Sequence, residues 1–315
     1  METPHLHHEI EALLVKLGAA DRPSMRLSTP AAARSRPLPM STLFGAPPSC
    51  RFEDFSVAAS DGFEIPVRLY LPEGTPKGLI VYCHGGGWVL GSVAAFHPLT
   101  ATLAQRTGCA VLSVDYRLAP ENPYPAALED TRAALAWAAR DAAGAMGTQP
   151  GALVVMGDSA GANLVTIAAR MHQRSTPKRQ VDLQVLVYPV CDHDFQTGSY
   201  REFAAGYLLT RDDMMWFWDQ YCPDPARRDD PTLSPLRAPD LSGSPPALIL
   251  TAGSDPLRDE GEAYGARLAQ AGVTVDTVRC DGLVHGFLSM INQATSAACA
   301  FDRVVAAIMR AATTD

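Results

Sequence analysis

Short apolar runs recur along this 315-residue chain, and longer helix-like stretches separate them. The runs do not alternate between apolar and polar side chains, which is typical of strands covered on both faces. They are Leu79–Cys83, Ala110–Val114, Ala152–Met156, Leu183–Val187 and Ala247–Thr251, with Val273–Val278 as a weaker sixth. The helix-like stretches are 97–107, 126–143, 160–173, 256–271 and 296–312. This alternation predicts an α/β fold, with a mostly parallel central sheet flanked by helices.

An antiparallel hairpin is expected before the first of these runs. Phe52–Ala58 and Glu64–Leu71 resemble two paired strands, and Ser60-Asp61-Gly62 between them supplies turn residues. The predicted sheet therefore opens with antiparallel strands and continues with parallel ones.

The N-terminal region differs in pattern from the rest of the chain. Residues 8–17 place their apolar side chains on one helical face, whereas residues 21–50 contain six prolines and show little periodicity. We expect this second segment to be a connecting arm outside the core, with its arginines forming a solvated basic face. The prolines are Pro23, Pro30, Pro37, Pro39, Pro47 and Pro48, and the arginines are Arg22, Arg26, Arg34 and Arg36.

Residues 192–235 separate two predicted strands by far more chain than a crossover connection needs. They contain an aromatic, helix-like patch formed by Trp216, Phe217, Trp218 and Tyr221. An insertion here, together with the N-terminal region, would form a lid over the edge of the sheet where open α/β sheets bind ligands. A packed helix without a role at a site explains the patch equally well, and the two interpretations are compatible.

Composition and charge exclude several classes of partner. Apolar residues make up 47% of the chain and charged residues 19%, which is typical of globular proteins. The formal net charge is −8 and the basic residues are scattered, so we expect no nucleic-acid partner. No apolar run approaches the roughly 20 residues of a membrane span, so we expect no stable membrane insertion.

The cysteines indicate a reducing compartment. There are seven, an odd number, and none belongs to a C-x-x-C pair, so a disulfide framework is not indicated. The first residues include Glu9 and Glu11 and lack the basic-then-apolar pattern of a signal peptide. We therefore expect a cytoplasmic protein. The histidines lack the spacing of metal ligands, and we expect no metal site.

The segment Gly157-Asp158-Ser159-Ala160-Gly161 has the form G-x-S-x-G and stands between a predicted strand and a predicted helix. The glycines remove side chains where the turn is tight, so Ser159 can adopt a strained backbone that exposes its hydroxyl. The following helix N-terminus favours developing negative charge. We predict that Ser159 is a nucleophile, with a purely structural turn as the alternative. Asp158 is expected to tie down the local backbone rather than to titrate in catalysis.

A second glycine motif, His84-Gly85-Gly86-Gly87-Trp88, follows the predicted strand that ends at Cys83. Consecutive glycines let the main chain approach a substrate carbonyl and direct N–H groups at its oxygen. We predict an oxyanion hole formed by amides of this glycine run, Gly85, Gly86 and Gly87, together with the amide of Ala160. His84 is expected to organise the loop rather than to act as a base. A flexible glycine loop is the alternative.

A nucleophilic serine needs a base. Where the serine lies on a G-x-S-x-G turn between a strand and a helix, the chain order is serine, then the acid, then the histidine. Three histidines follow Ser159. His172 lies in a predicted helix, and His193 lies at the start of the insertion. His285 lies on a glycine-flanked loop after the last predicted strand, from which its ring can reach the serine. We predict that His285 is the base.

The predicted acid is Asp255, which lies just beyond the predicted strand Ala247–Thr251. Asp259 and Glu260 lie one turn into the following helix, where we expect them to cap it or to face solvent. Asp281 remains an alternative acid.

These motifs resemble those of the hormone-sensitive-lipase-like (bacterial family IV) carboxylesterases of the α/β-hydrolase superfamily. The resemblance covers roughly residues 50–315, and Asp158 is typical of the branch with the G-D-S-A-G motif. The matching segments are 84–88, Asp115-Tyr116-Arg117-Leu118-Ala119-Pro120-Glu121, 125–130, 157–161, 255–260 and His285-Gly286-Phe287.

The resemblance implies a serine carboxylesterase with an α/β-hydrolase fold and a helical cap. It implies a catalytic triad of Ser159, Asp255 and His285, and an oxyanion hole formed by Gly86, Gly87 and Ala160. Such enzymes hydrolyse short- to medium-chain carboxylic esters through an acyl-enzyme intermediate and without a cofactor. The corresponding division is 1–50 as the N-terminal part of the cap, 51–191 and 236–315 as the catalytic domain, and 192–235 as the cap insertion.

Further predictions concern the substrate pocket, the oligomeric state and the alternative functions. The candidate residues of a substrate pocket are Trp88, Asp158, Tyr188, Leu208, Trp216 and Phe287. A homodimer formed at the sheet edge near the last strand is expected from the resemblance. The alternative functions are an amidase or peptidase on the same fold, and a ligand-binding relative that has lost catalysis.

Overall fold

A central sheet of eight strands runs through the part of the chain that this computed structural model describes, residues 6–21, 23–35, 43–149, 151–175 and 178–313. The strands are β1 Arg51–Ala58, β2 Glu64–Leu71, β3 Gly78–Cys83, β4 Ala110–Val114, β5 Ala152–Asp158, β6 Leu183–Val187, β7 Ala247–Ser254 and β8 Val275–Val284. Their spatial order is β1-β2-β4-β3-β5-β6-β7-β8. The β1–β2 and β2–β4 pairs are antiparallel, and the other neighbouring pairs are parallel. The predicted, mostly parallel sheet with an antiparallel opening is confirmed.

Ten α-helices are found in the described ranges. They are α1 His8–Lys16, α2 Pro30–Ser35, α3 His97–Thr107, α4 Ala126–Arg140, α5 Ala142–Met146, α6 Ala160–Ser175, α7 Gly198–Glu202, α8 Arg211–Tyr221, α9 Arg258–Gln270 and α10 Thr295–Thr313. The predicted helix 126–143 is divided at Asp141 into α4 and α5. None of the described helices is long and apolar enough to span a bilayer.

Helices cover both faces of the sheet, which explains why the apolar runs do not alternate. On β3, Leu79 and Val81 belong to a buried cluster that includes residues of α4, α6 and α9. Ile80 and Tyr82 belong to a second cluster that includes residues of α1, α3 and α10. All four side chains are fully buried, so every position of the strand favours an apolar residue.

Strand β8 is longer than predicted. It pairs with β7 as far as Ala252↔Cys280 and, after an irregularity, Ser254↔Val284, so residues 281–284 are strand rather than loop. This extension depends on pairing with a distant segment, which the local pattern does not report. It brings the end of β8 next to the end of β7, and therefore brings His285 close to Asp255.

The arm and the insertion meet above the carboxyl ends of the strands. In the insertion, α8 begins with a capping box, in which Thr210 Oγ1 accepts from the Asp213 amide and the Asp213 side chain accepts from the Thr210 amide. The free Oδ1 of Asp213 accepts the backbone N–H of Met25 from the arm at 2.8 Å. One aspartate thus joins the two segments.

The arm is more ordered than its proline content predicts. It contains α2 and a 3-10 turn at Met25–Leu27, and Arg34 is bound to other parts of the chain rather than solvated. Arg26 matches the expected basic face better, since its side chain is 43% exposed and its Nη2 lies 3.5 Å from the exposed Asp219 carboxylate. Arg22, Arg36, Pro37 and Pro39 lie outside the described residues.

Candidate active site

Ser159 stands at a sharp turn between β5, which ends at Asp158, and α6, which begins at Ala160. Its φ is +54°, a conformation that is costly for a residue with a side chain. The Ser159 amide donates to the Val187 carbonyl at 2.9 Å, which ties the turn to β6. A Cβ on Gly161 would overlap the Cys83 carbonyl, so only glycine lets α6 pass this close to β3.

The structure brings Ser159, His285 and Asp255 into one hydrogen-bonded chain. His285 Nε2 lies 3.0 Å from Ser159 Oγ, and His285 Nδ1 lies 2.8 Å from Asp255 Oδ2. Asp255 is fully buried, and its Oδ1 accepts the Leu257 amide at 2.9 Å. In this arrangement the histidine can remove the serine proton, while the carboxylate fixes the ring and stabilises its charged form.

The competing histidines have other partners. His172 Nε2 contacts the Arg179 carbonyl at 2.8 Å, and His193 Nε2 contacts Asp229 Oδ1 at 2.8 Å. Neither ring is hydrogen-bonded to Ser159.

The competing acids also lie elsewhere. Asp259 accepts the Ser199 amide and pairs with Arg258, and Glu260 accepts the Cys191 amide. Asp281 lies within β8 and is exposed. Glu260 differs from its expected place at the helix surface because it is buried, and burial raises its pKa well above the usual value.

Residues 84–93 form a loop, here called the oxyanion loop, beside the serine. Its φ values of +123° at Gly86 and +60° at Gly87 suit glycine, and the Gly86 carbonyl accepts the amides of Val89 and Leu90 to close a turn. Within the described chain, the Gly86 and Gly87 amides donate no hydrogen bond. The Ala160 amide belongs to the first turn of α6, where amides lack an intrahelical acceptor. These three N–H groups are therefore available to an incoming anion.

Gly85 differs from the two glycines that follow it. Its amide donates to Asp158 Oδ1 at 2.9 Å, so it is engaged and is not an additional donor for an oxyanion. The same carboxylate oxygen accepts from the Tyr82 hydroxyl at 2.6 Å. Burial raises the pKa of Asp158 to about 6. Asp158, which directly precedes Ser159, thereby connects the Ser159 turn to the start of the oxyanion loop.

His84 is the first residue of the oxyanion loop, and it is fully buried. Its ring stacks between Phe96 and Tyr116, with ring centroids 5.3 Å and 4.4 Å away, and its Nδ1 contacts the Gly85 carbonyl at 2.8 Å. Burial lowers the pKa of this histidine. These contacts suit a residue that holds the loop in shape.

A mostly apolar cavity of about 150 Å³ opens at Ser159 and His285. Arm residues Met25 and Leu43 contribute to its wall. The insertion contributes Leu208, Leu209, Asp213, Met214 and Phe217. Both halves of the expected cap therefore line the cavity.

Three of the six candidate pocket residues line this cavity, namely Asp158, Tyr188 and Leu208. Tyr188 and Leu208 share positive φ values with Ser159, at +37° and +70°, and such strain clusters at functional sites.

The other three candidates, Trp88, Trp216 and Phe287, are not among the lining residues, which corrects the prediction. Trp88 is buried against Tyr221 and Trp218, with ring centroids 4.3 Å and 5.1 Å away. Phe287 packs edge-on against Tyr188 at 5.0 Å, behind the cavity wall.

On α8 it is Phe217, rather than Trp216, that faces the cavity. Phe217 lies four residues after Asp213 and three after Met214, so it shares a helix face with both, whereas Trp216 lies only two residues after Met214 and points away from it. The spacing of Met214 and Phe217, three residues apart, is a sequence signal that could have identified this face. For Met25 and Arg34, no such local signal exists.

Comparison with known proteins gives consistent results. A family model described as the alpha/beta hydrolase fold matches residues 80–289. The carboxylic ester hydrolase LipN of Mycobacterium tuberculosis is 44% identical over 81% of this chain and 69% of its own. The ethyl acetate hydrolase of Pseudomonas putida is 40% identical over 77% of each chain. Among solved structures, an esterase of the archaeon Pyrobaculum calidifontis superposes with a TM-score of 0.90 at 36% identity, over 98% of this chain and all of the other.

Proposed function

The chain belongs to the hormone-sensitive-lipase-like branch of the alpha/beta hydrolase fold family and is a carboxylic ester hydrolase, and we propose that Ser159, His285 and Asp255 carry out its reaction. The observation that supports these roles best is the unbroken hydrogen-bonded chain from Ser159 Oγ through the His285 ring to the buried Asp255.

In the proposed mechanism, Ser159 Oγ attacks the ester carbonyl while His285 Nε2 accepts the hydroxyl proton. Asp255 keeps the ring in the tautomer that leaves Nε2 free to accept. The carbonyl oxygen becomes an oxyanion, which receives hydrogen bonds from the amides of Gly86, Gly87 and Ala160. The C–O bond to the alcohol then breaks, and His285 returns the proton to the leaving alkoxide.

Water completes the cycle by the same kind of steps, with water as the nucleophile and Ser159 Oγ as the leaving group. His285 removes a proton from water, and the resulting hydroxide attacks the acyl carbon bound to Ser159. The second tetrahedral intermediate uses the same three amides. When it collapses, His285 returns the proton to Ser159 Oγ and the carboxylic acid is released.

We propose short- to medium-chain esters as substrates. A cavity near 150 Å³ with apolar walls is roughly large enough for a benzene-sized group, and therefore for a short acyl chain. The relative named ethyl acetate hydrolase acts, by its name, on a small ester of this class. The arm and insertion residues that close the cavity support their assignment as a cap, 1–50 with 192–235, over the catalytic domain 51–191 and 236–315.

Hydrolysis of p-nitrophenyl esters from acetate to laurate tests the proposal. We expect the highest kcat/KM at short to medium chains, and a loss of roughly 10⁴-fold or more in Ser159→Ala at an unchanged thermal midpoint. Equal activity in this variant, or none in the wild type, would contradict the serine mechanism. Preference for an anilide over its matched ester would indicate an amidase. Tight binding of esters without turnover would indicate a non-catalytic relative.

We also propose a cytoplasmic homodimer without a nucleic-acid partner. All seven cysteines are free thiols, which supports a reducing compartment, and the net charge of −8 disfavours a phosphate-binding surface. Strand β8 lies at one edge of the sheet, with an outer side on which a second copy could pair.

A further inference from the structure

The oxyanion loop is held from behind by residues 115–121, here called the backing segment, which the catalytic mechanism does not use. Several hydrogen bonds make this connection. The Tyr116 hydroxyl donates to the His84 carbonyl at 2.8 Å, the Val93 amide donates to Asp115 Oδ1 at 3.0 Å, and the Ala119 amide donates to the Trp88 carbonyl at 2.9 Å. They are spread along the loop, so its path depends on the position of the backing segment.

Arg34 of the arm connects the same two segments from the outside. Its Nε donates to the Val89 carbonyl at 2.8 Å, and its Nη2 donates to the Ala119 carbonyl at 2.7 Å. Its Nη1 and Nη2 donate to the two oxygens of the Glu121 carboxylate, at 2.8 and 2.7 Å. One planar guanidinium therefore bridges the loop and its backing, which a lysine ammonium cannot do with the same geometry.

The Val89 peptide lies in the turn that shapes the oxyanion hole. Its N–H donates to the Gly86 carbonyl at 3.1 Å, and this bond closes the turn over Gly87. A bond to the Val89 carbonyl restrains the same residue from its other side. Because an oxyanion donor must be placed within a fraction of an ångström, restraint of this turn bears directly on the Gly86 and Gly87 amides.

The arm that carries Arg34 also reaches the wall of the cavity. Its Met25 lines the cavity and donates its amide to Asp213 on α8. The arm thus runs from the oxyanion loop to the insertion. The hydrogen bonds of Arg34 to the Val89 and Ala119 carbonyls fix the arm next to the oxyanion loop.

We propose that Arg34 is a positioning residue for ester hydrolysis, which holds the oxyanion loop in its reactive shape by docking the arm onto it. The inference rests on the proposed function, because it assumes that the Gly86 and Gly87 amides receive the oxyanion. The Arg34 guanidinium lowers the pKa of Glu121 to about 2, so the Glu121 carboxylate is ionised at neutral pH.

Steady-state kinetics of Arg34→Ala with p-nitrophenyl butyrate test this role. The oxyanion bonds form only in the transition state, so we expect kcat to fall roughly tenfold while KM changes less than about twofold. Arg68→Ala is the matched control. Arg68 forms a similar two-pronged pair with Asp54, at 2.6 and 2.7 Å, but on the β1–β2 hairpin away from the site. We expect its kcat to match that of the wild type.

Inhibition by an alkyl trifluoromethyl ketone gives a second readout. Addition of Ser159 Oγ to this ketone makes a stable oxyanion, so its inhibition constant should rise in Arg34→Ala by about the same factor as kcat falls. The corresponding secondary alcohol forms no oxyanion, and its inhibition constant should be unchanged. A purely structural role would weaken both ligands equally or neither.

Two milder variants cover the case in which Arg34→Ala does not fold. Arg34→Lys keeps the charge but loses the fork, and Glu121→Gln keeps the Arg34 bonds to the Val89 and Ala119 carbonyls. We expect Arg34→Lys to lose more kcat than Glu121→Gln. The proposal is overturned if kcat and ketone affinity are unchanged in the Arg34 variants, if only KM rises, or if Arg68→Ala shows the same loss. An inactive wild type would instead refute the proposed function.

Discussion

Gly87 meets two requirements at a single position. Its φ of +60° is left-handed, and its Cα faces the ring of Phe217 so closely that an added Cβ would overlap the ring. The first requirement comes from the turn of the oxyanion loop, and the second comes from the insertion. The residue whose amide we propose as an oxyanion donor is thus also a residue that the insertion contacts.

Gly87→Ala should therefore impair catalysis more than folding. The added methyl group must displace either Phe217 or the loop, and loss of one oxyanion donor typically costs a factor of about 10² in kcat. Gly74→Ala is the control, since Gly74 has a φ of +79° but no atom within 4 Å of an added Cβ. Both variants should lose about 1 kcal/mol of unfolding free energy from the left-handed backbone. A Gly87→Ala enzyme with a kcat within twofold of the wild type would contradict this reasoning.

Phe217 should limit the length of the acyl chain. Replacing it with alanine removes a wall of the cavity, so the optimum of kcat/KM across p-nitrophenyl esters should move by about two or more carbons toward longer chains. Trp216→Ala removes a neighbouring aromatic ring of α8 that does not line the cavity, and it should leave the optimum in place. The same shift in both variants would indicate general loosening of the helix.

At the scale of elements, the N-terminal helix caps the C-terminal one. The Glu9 carboxylate on α1 accepts the amides of Thr295 and Ser296 at 2.9 and 2.7 Å, together with the Ser296 hydroxyl at 2.6 Å. These amides begin α10, where backbone donors lack intrahelical partners. Residues almost 300 positions apart in the chain thus complete a single helix end.

Replacement of Glu9 should reveal a pH-dependent share of the stability. The bonds from Ser296 and Thr295 lower the pKa of Glu9 from 4.5 to about 2. A lowered pKa means that the stabilisation is complete above pH 4.5 and is lost as the pH falls toward 2. Glu9→Gln should cost about 1 kcal/mol at pH 7, as loss of a cap does, because Glu9 is partly exposed and solvent screens the charge.

Urea unfolding of both proteins at pH 7 and at pH 4 measures this share. The gap between wild type and Glu9→Gln should narrow at the lower pH. Glu11→Gln removes an exposed charge from the same helix and should unfold like the wild type at both pH values. A gap of equal size at both pH values would show that the carboxylate charge is not the cause.

The two edge strands of the sheet differ in length and in how far other residues cover their outer sides. At one edge, β1 is eight residues long, and at the other, β8 is ten. The end of β8 is partly covered, because the His7 amide donates to the Gly282 carbonyl at 3.1 Å. The outer side of residues 275–280 is the part that could pair with a second copy.

If a dimer forms there, sedimentation equilibrium should give twice the 33.7 kDa mass of the chain. Amide hydrogen exchange at residues 275–280 should slow as the protein concentration rises, because pairing protects outward N–H groups. Strand β1 is the internal control, and its exchange should not depend on concentration. A monomer mass at all concentrations, or equal slowing of both edges, would contradict pairing through β8.

Sequence reasoning accounted for the features whose causes are local. Strands buried on both faces must be continuously apolar, so the sheet could be predicted from the apolar runs. A serine on a strained turn needs small neighbours, so the turn could be predicted from the G-x-S-x-G motif. The order of Ser159, Asp255 and His285 followed from the strands that precede them. The structure places these three side chains within hydrogen-bonding distance, at the ends of β5, β7 and β8.

Contacts between side chains that are distant in the sequence depend on how the elements pack, which local patterns do not contain. Phe217 instead of Trp216 lines the cavity because of the rotation of α8 against the loop, and Gly85 is no free donor because Asp158 reaches its amide. Arg34 looked solvated in the sequence because its acceptors, the Val89 and Ala119 carbonyls, lie 55 and 85 positions away. A local sequence pattern reflects whether a residue is buried or solvated and how it fits its neighbours in the chain. It does not record which distant backbone group will be free to receive a hydrogen bond.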